Sequence, residues 1–252
     1  MKEIKPIIEL VLHLADNALI LGHRNSEWTG HGPILEQDIA LSNIALDLIG
    51  QARNLYQYAA TLLNDGSTED TLAYLRNERA FINCLLVEQP NGDWGQTIMR
   101  QFLFSTAHWF YFQQLQHCHD EHLAGIASKS LKEIAYHVRW SSEWVIRLGD
   151  GTEESTQRMQ MALDKLWPYT GELLTPAEYE KEVSKHGINI NFETLFKEYN
   201  HKVTNTIKQA TLLVPTAAWM QQGGKTGLHS EHLGFLLAEM QVLQRSYPGV
   251  EW

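Results

Sequence analysis

Apolar residues recur every three or four positions along most of the chain, which is the spacing of an amphipathic α-helix. No segment alternates apolar and polar residues convincingly with period two, so no β-strand is predicted. Long helices are predicted over about residues 6–24, 34–63, 94–117 and 125–148. They form two pairs, each joined by a short turn, and this order predicts a four-helix bundle.

Shorter helices are predicted to wrap one side of this bundle. Gly149-Asp150-Gly151, with Arg147 before it, predicts a glycine-capped end for the fourth long helix. Thr175-Pro176-Ala177-Glu178 predicts a capping box. The shorter helices are expected at about residues 69–88, 153–173, 176–186, 191–212 and 229–246.

Length and composition favour one domain over residues 1–252, because the 44% hydrophobic content supports one core and no linker interrupts the pattern. Thirty acidic residues against 20 basic ones give a formal charge of −10, which argues against nucleic-acid binding. The longest uncharged run, 101–119, contains four glutamines and three histidines, so no membrane span is expected. Cys84 and Cys118 are expected to be reduced, which suits a cytoplasmic protein.

The segment 131-LKEIAYHVRWSSEWV-145 raises the question of a metal site, because it places Glu133 and His137 on one helix face. Di-iron bundles need one Glu from each of two helices and Glu-x-x-His from each of the other two. Helix 34–63 has no histidine, helix 94–117 has no carboxylate, and Ile134 stands three residues before His137. We therefore predict no catalytic or metal-binding residue, and only degenerate di-iron positions at Asp16, Asp47, Glu133 and His137.

Two lines of polar residues follow the edges of apolar stripes on helices 34–63 and 125–148. One interpretation is a metal-free cluster of carboxylate–imidazole or carboxylate–amide contacts, since buried acids need partners. The alternatives are that both lines face solvent, or that they hold iron. The lines consist of Asn43, Asp47, Gln51 and Asn54, and of Glu133, His137, Trp140 and Trp144.

Three further motifs have competing interpretations. The segment 223-GGKTG-227 lacks the earlier glycine of a phosphate-binding loop, so a flexible loop is favoured. His229-x-Glu231-His232 is interpreted as a polar cluster opening a helix rather than as a ligand set. The run 109-WFYF-112 covers a whole helix circumference, so it packs in the core or is buried by another subunit.

Four segments of the chain resemble one family: 30-GHGPILEQDIALSNIALDLIGQARN-54, 86-LVEQPNGDWGQTIMRQ-101, 165-KLWPYTGEL-173 and 223-GGKTGLHSEHLGFLLAEMQ-241. The closing Pro248-Gly249-Val250-Glu251-Trp252 also matches, and the resemblance runs from end to end. The family is that of the C subunit of the bacterial phenylacetyl-CoA ring epoxidase. Membership implies an all-α, ferritin-like four-helix bundle with additional C-terminal helices.

The resemblance also implies a place in a multicomponent monooxygenase of phenylacetate catabolism. A sister A subunit would carry the di-iron centre, with a B subunit and a reductase E subunit that uses FAD, an iron–sulfur cluster and NADPH. This chain would be a structural subunit without a cofactor of its own. The rival hypotheses are a di-iron oxygenase with atypical ligands and a ferritin-like iron store. A homodimer of the isolated chain is left open.

Two groups of residues are predicted to touch the partner subunit or the CoA substrate. The first is the aromatic run on helix 94–117, and the second is the glycine-rich loop. Their members are Trp109, Phe110, Tyr111 and Phe112, and Gly223, Gly224 and Lys225.

Overall fold

The computed structural model describes residues 4–216 and 219–250, and within these residues it contains helices and no strand. Glu251 and Trp252 of the C-terminal motif lie outside the described residues. The α-helices are α1 (Lys5–Ser26), α2 (Leu35–Leu63), α3 (Glu69–Tyr74), α4 (Leu85–Glu88), α5 (Trp94–Leu115), α6 (Glu121–Gly149), α7 (Glu153–Leu166), α8 (Gly171–Leu174), α9 (Glu178–Glu182), α10 (Phe192–Gln209) and α11 (Glu231–Ser246).

The four predicted long helices are confirmed, as α1, α2, α5 and α6. Helix α1 packs along α2, and α5 packs along α6, so the bundle consists of two helical hairpins. Each helix contributes fully or almost fully buried side chains to one core, for example Leu14, Leu48, Phe102 and Ile134. Helices α7 and α10 pack against the outer side of the α5–α6 hairpin.

The prediction of one helix over residues 69–88 is wrong. Helix α3 ends at Tyr74, a 3₁₀ turn follows at residues 78–80, and α4 begins only at Leu85. The cause lies on α1, where Asp16 accepts the backbone N–H of Ile82 at 2.9 Å and Asn17 accepts that of Cys84 at 2.8 Å. Because side chains of α1 bind these donors, the segment stays extended where it crosses α1.

The predicted helix 153–173 is also interrupted. Helix α7 ends at Leu166 and a 3₁₀ turn, Trp167–Tyr169, follows before α8. Pro168 lacks the N–H that an uninterrupted helix would need there. The capping box predicted at Thr175 is wrong as well, because α9 begins at Glu178, after Ala177 donates its N–H to Glu180 Oε2 at 2.7 Å.

Helix α6 ends near the predicted position, at Gly149, but the predicted glycine cap is wrong. The residue after the helix is Asp150, whose φ of −96° is not left-handed. Gly149 instead allows a close approach to the end of α10, since a Cβ there would lie 2.4 Å from the carbonyl oxygen of Ala210. The glycine is needed for packing, not for the turn.

Candidate functional site

A ladder of polar bridges joins α2 to α6, and we call it the seam. Gln51 Nε2 donates to Glu133 Oε2 at 2.8 Å, and His137 Nε2 lies 3.0 Å from Asp47 Oδ2. Farther along, Trp140 Nε1 donates to the side-chain oxygen of Gln37 at 3.1 Å. The predicted carboxylate–amide and carboxylate–imidazole contacts are therefore confirmed, and the solvent-facing alternative fails at these positions.

The seam is open to water on its α2 side. Side-chain exposure is 34% for Asp47 but 1% for His137, so the bridge runs from the surface into the bundle. Asn43 is exposed and Asn54 is half-buried, so the ends of the predicted polar line on α2 do face outward. A carboxylate that is one-third exposed keeps much of its hydration, and such a bridge contributes little stability.

Asp16 lies in a different place, which we call the Asp16 cluster: Asp16, Tyr56, Arg76 and the backbone of Ile82. The Asp16 carboxylate is fully buried and accepts bonds from the Arg76 guanidinium, from the Tyr56 hydroxyl and from the Ile82 N–H. Burial opposes the charge on Arg76, but the neighbouring Asp16 outweighs it and raises the pKa of Arg76. The structure thus does not bring Asp16 together with Asp47, Glu133 and His137.

His108 is a titratable group that α5 places inside the bundle. Burial, with smaller contributions from His137 and His13, lowers its pKa to about 3, so the ring is neutral at physiological pH. Its ring packs on Phe104 and Phe112. Beside it is a cavity of about 30 Å³ that His13 also lines. Such a volume holds about one water molecule.

These residues do not fit a pair of iron ions. Among residues 4–216 and 219–250, no group of three or more His, Cys, Asp or Glu side chains is arranged to hold a metal ion. The buried carboxylate of α1, Asp16, is bonded to Arg76, and α5 offers an imidazole where the di-iron pattern needs a carboxylate. In the seam, Glu133 is bonded to Gln51, and Asp47 to His137.

The glycine-rich loop at 223–227 is held by hydrogen bonds to Glu172, so the prediction of a flexible loop is wrong. The N–H groups of Gly223 and Lys225 both donate to Glu172 Oε1, at 2.9 and 3.1 Å. The Lys225 ammonium is buried and binds Glu180 Oε2 at 2.8 Å and the carbonyl oxygen of Thr175 at 3.0 Å. The suggested contact of Gly223, Gly224 and Lys225 with a partner or with CoA stays a prediction, although Lys225 has its bonds within this chain.

The aromatic run on α5 divides into two pairs. Tyr111 and Phe112 are buried, at 6% and 0% exposure, so the core interpretation holds for them and they have no exposed surface for another subunit. Trp109 and Phe110 are half-buried and line a surface groove of about 430 Å³ between α5, α6 and α10. Only this second pair is exposed enough for the predicted interface.

Sequence reasoning missed the buried charges that fix the irregular segments. Arg100 is fully buried and bonds to the carbonyl oxygen of Gln89 and the side chain of Asn91, while burial lowers its pKa to about 9. Glu88 is fully buried beside His229. Arg100 is the only charged residue of the stretch TIMRQFLF, and Glu88 is the only one of CLLVEQP. A single charge in a mainly apolar stretch predicts a buried side chain with a polar partner.

The bundle and its wrapping helices form a ferritin-like fold. The chain is similar in structure to an R2-like ligand-binding oxidase, a point mutant with an aerobically reconstituted Mn/Fe cofactor, with a TM-score of 0.51. Sequence identity is 11%, and the match covers 83% of this chain and 82% of the oxidase. At that identity the likeness shows the fold alone, and the predicted fold class is confirmed.

Sequence comparison gives the family. The family described as "Phenylacetic acid catabolic protein" matches residues 1–252. The chain is also 49% identical to the C subunit of the 1,2-phenylacetyl-CoA epoxidase of Escherichia coli, over 96% of this chain and 97% of that protein. The chain therefore belongs to the phenylacetic acid catabolic protein family. Within the described residues no helix is both long and apolar enough to cross a bilayer.

Proposed function

We propose that this chain is a non-catalytic structural subunit of a phenylacetyl-CoA epoxidase, paired with a di-iron catalytic subunit of the same complex. The single observation that carries the proposal is the 49% identity, across nearly the full length of both chains, to a protein named as the C subunit of that enzyme. A similarity that extends over whole chains favours the same place in the same complex.

The donor set of the bundle supports the non-catalytic part of the proposal. Asp16, the buried carboxylate of α1, is bonded to Arg76. Converting this centre into a di-iron site would need new carboxylates on α5 and new histidine spacing on α2 and α6. Oxygen activation and epoxidation would then take place in the partner, with FAD, an iron–sulfur cluster and NADPH at a separate reductase.

The contribution of this chain would be a rigid surface that holds the helices of the catalytic subunit in position. Partly exposed apolar side chains are available for such burial. On the bundle helices they include Leu35, Ile39 and Leu46 of α2, at 71%, 52% and 66% exposure, together with the half-buried Trp109 and Phe110 of α5. Large obligate interfaces bury apolar residues of this kind.

The test is co-expression with the catalytic subunit, with affinity purification through a tag on that subunit. We expect the two chains to co-purify, and we expect turnover of phenylacetyl-CoA to require both. A chain that turns over the substrate alone, given only the reductase and iron, would support the rival hypothesis of an atypical di-iron oxygenase. A catalytic subunit that is fully active and stable without this chain would contradict the structural role.

A surface variant sharpens this test. Leu46→Asp places a charge on the exposed face of α2, away from the core, and should weaken co-purification while the isolated chain keeps its fold. The matched control is Met161→Asp on α7, which is 62% exposed. Equal losses of co-purification for both variants would mean that α2 is not the specific contact surface. The pairing itself would still be tested by the wild-type experiment.

A further inference from the structure

The ring of His229 lies between two acceptors at the start of α11. Its Nδ1 is 2.9 Å from Glu88 Oε2, and its Nε2 is 2.8 Å from the carbonyl oxygen of Phe81. The side chains of His229 and Glu88 are both fully buried. Neither a carboxylate nor a carbonyl oxygen donates a proton at neutral pH, so both ring nitrogens must donate. Only the doubly protonated imidazolium can do so.

This ion pair is placed where α11 joins the rest of the molecule. Glu88 Oε1 also accepts the N–H of Ser230 at 2.6 Å, so one carboxylate binds both the side chain and the backbone that open the helix. Elsewhere α11 is held by Arg24, which donates to the carbonyl oxygen of His232, and by Gln241, which donates to that of Ala73. Its buried residues are Leu233, Leu236, Leu237 and Gln241.

Helix α11 is therefore held to the rest of the molecule by a narrow apolar contact and by hydrogen bonds near both of its ends. Its outer face carries exposed apolar residues among charged ones, with Phe235 at 70% and Val242 at 52% exposure. Breaking a buried charge pair leaves its partner without compensation, which is a far larger effect than the loss of a surface ion pair. The protonation state of His229 therefore directly affects the stability of the packing of α11 against the rest of the molecule.

We propose that His229 and Glu88 form a pH-operated latch, in which loss of the imidazolium proton as the pH rises loosens α11 from the bundle. The deprotonated ring must give up one of its two bonds, so either Glu88 or the carbonyl oxygen of Phe81 loses a donor, and in both cases the buried Glu88 carboxylate loses its countercharge. The expected consequence is local opening of α11, with the four-helix bundle remaining folded.

The charges around the ring favour the protonated state. Burial lowers the pKa of His229, but the bond and the charge of Glu88 raise it more, and Glu78 of the 3₁₀ turn adds to the rise. The guanidinium of Arg24 on α1 is the nearby cation, and it bonds to the backbone of residue 88. On α11 itself, Glu231 and His232 are the titratable neighbours.

The sign of the pH effect follows from this raised pKa. The folded state holds the proton more tightly than the unfolded chain does, so the stabilisation is fully present below the unfolded pKa of about 6.5. It is lost as the pH rises through the folded pKa. Each unit by which the folded pKa exceeds 6.5 changes the opening equilibrium of α11 by a factor of about ten.

Amide hydrogen exchange of the full chain between pH 6 and 9, corrected for the intrinsic pH dependence of exchange, tests the latch. We expect the opening constant of α11 amides to rise with pH while that of α6 amides stays level. Glu88→Gln, which keeps the side-chain volume, and His229→Gln should each remove the rise. His232→Gln, at a half-exposed position on the same helix, should keep it.

Histidine NMR on the wild-type chain supplies a measurement that needs no variant. A His229 signal that titrates above 6.5 supports the latch, and one that titrates at or below 6.5 overturns it. A pH-dependent opening of α11 that persists in His229→Gln would also overturn the proposal, because another group would then be responsible.

Discussion

The Asp16 cluster and the seam are both built around carboxylates of the bundle helices, yet they differ in their surroundings. Asp16 is fully buried and is neutralised by Arg76, whose side chain is only 13% exposed. Asp47 in the seam is one-third exposed and faces a histidine, and Glu133 faces an amide. The first arrangement pairs full charges in a dry interior, and the second uses weaker partners beside water.

This difference shows two ways in which side chains and water can satisfy a carboxylate in a bundle of this fold. A buried acid needs a cation or several N–H donors, and the Asp16 cluster supplies both. A partly exposed acid needs fewer hydrogen-bond partners from the protein, since water completes its hydrogen bonds. The same chemical group is therefore expected to be critical for folding at one site and nearly neutral at the other.

The largest effect is expected from Asp16→Asn. The substitution keeps the shape but leaves the buried guanidinium of Arg76 without its anion, so we expect a loss of about 3–5 kcal/mol in the free energy of unfolding. Urea denaturation measures it. The matched control is Asp47→Asn in the seam, where the loss should be below about 1 kcal/mol. Similar losses at both positions would contradict the distinction between the two regions.

The next largest effect concerns two glycines. A Cβ at Gly224 would lie 2.3 Å from the carbonyl oxygen of Asn83 and 3.0 Å from Glu172, so Gly224→Ala should destabilise by about 1–3 kcal/mol. At Gly125 of α6, a Cβ meets nothing within 4 Å. Gly125→Ala should therefore stabilise by about 0.5–1 kcal/mol. Thermal unfolding of both variants checks the opposite signs.

Acid sensitivity should come from the buried histidines. The pKa values of His13 and His108 are lowered, mainly by burial, so these rings stay neutral in the folded chain and take up protons on unfolding. Their contribution is present above the unfolded pKa and is lost as pH falls below about 6.5, at roughly 1.4 kcal/mol per pH unit for each ring. Urea denaturation at several pH values measures this slope.

A His108 variant isolates one of these rings. His108→Leu should reduce the slope by about one proton. The stability of the variant should therefore differ less from that of the wild type at pH 8 than at acid pH. A slope that is unchanged in this variant would mean that His108 is not held neutral by burial.

The smallest effect is expected within the seam. The amide of Gln51 donates to Glu133, but its buried side-chain oxygen has no hydrogen-bond partner among the described residues. Gln51→Met removes the bond and the unpaired oxygen together, so the two effects offset each other and the change should stay within about 1 kcal/mol. A loss comparable to that of Asp16→Asn would show that the seam is as critical as the buried cluster.

The regular parts of the molecule follow from local patterns, and the irregular parts do not. Apolar periodicity predicts the four long helices because each buries one face, and the facing lines on α2 and α6 predict the contacts of Glu133 and His137. Residues 75–84 could not be predicted in this way. Their path depends on Asp16 and Asn17, which are about 65 residues away in sequence and capture backbone donors there.

The candidate site shows the same limit. The absence of a histidine from α2 and of a carboxylate from α5 is visible in the sequence, because ligand spacing within a helix is a local property. The bond between Lys225 and Glu180 is not, because the two residues are 45 positions apart and Lys225 lies in a glycine-rich segment typical of a mobile loop.

The measurement that tests the central claim most directly is the iron content of this chain after anaerobic incubation with excess ferrous iron and gel filtration, with the catalytic subunit treated in parallel. The account predicts negligible iron on this chain and about two irons on the catalytic subunit. About two irons bound between α1, α2, α5 and α6 of this chain, with the absorption band of an oxo-bridged pair after exposure to oxygen, would contradict it.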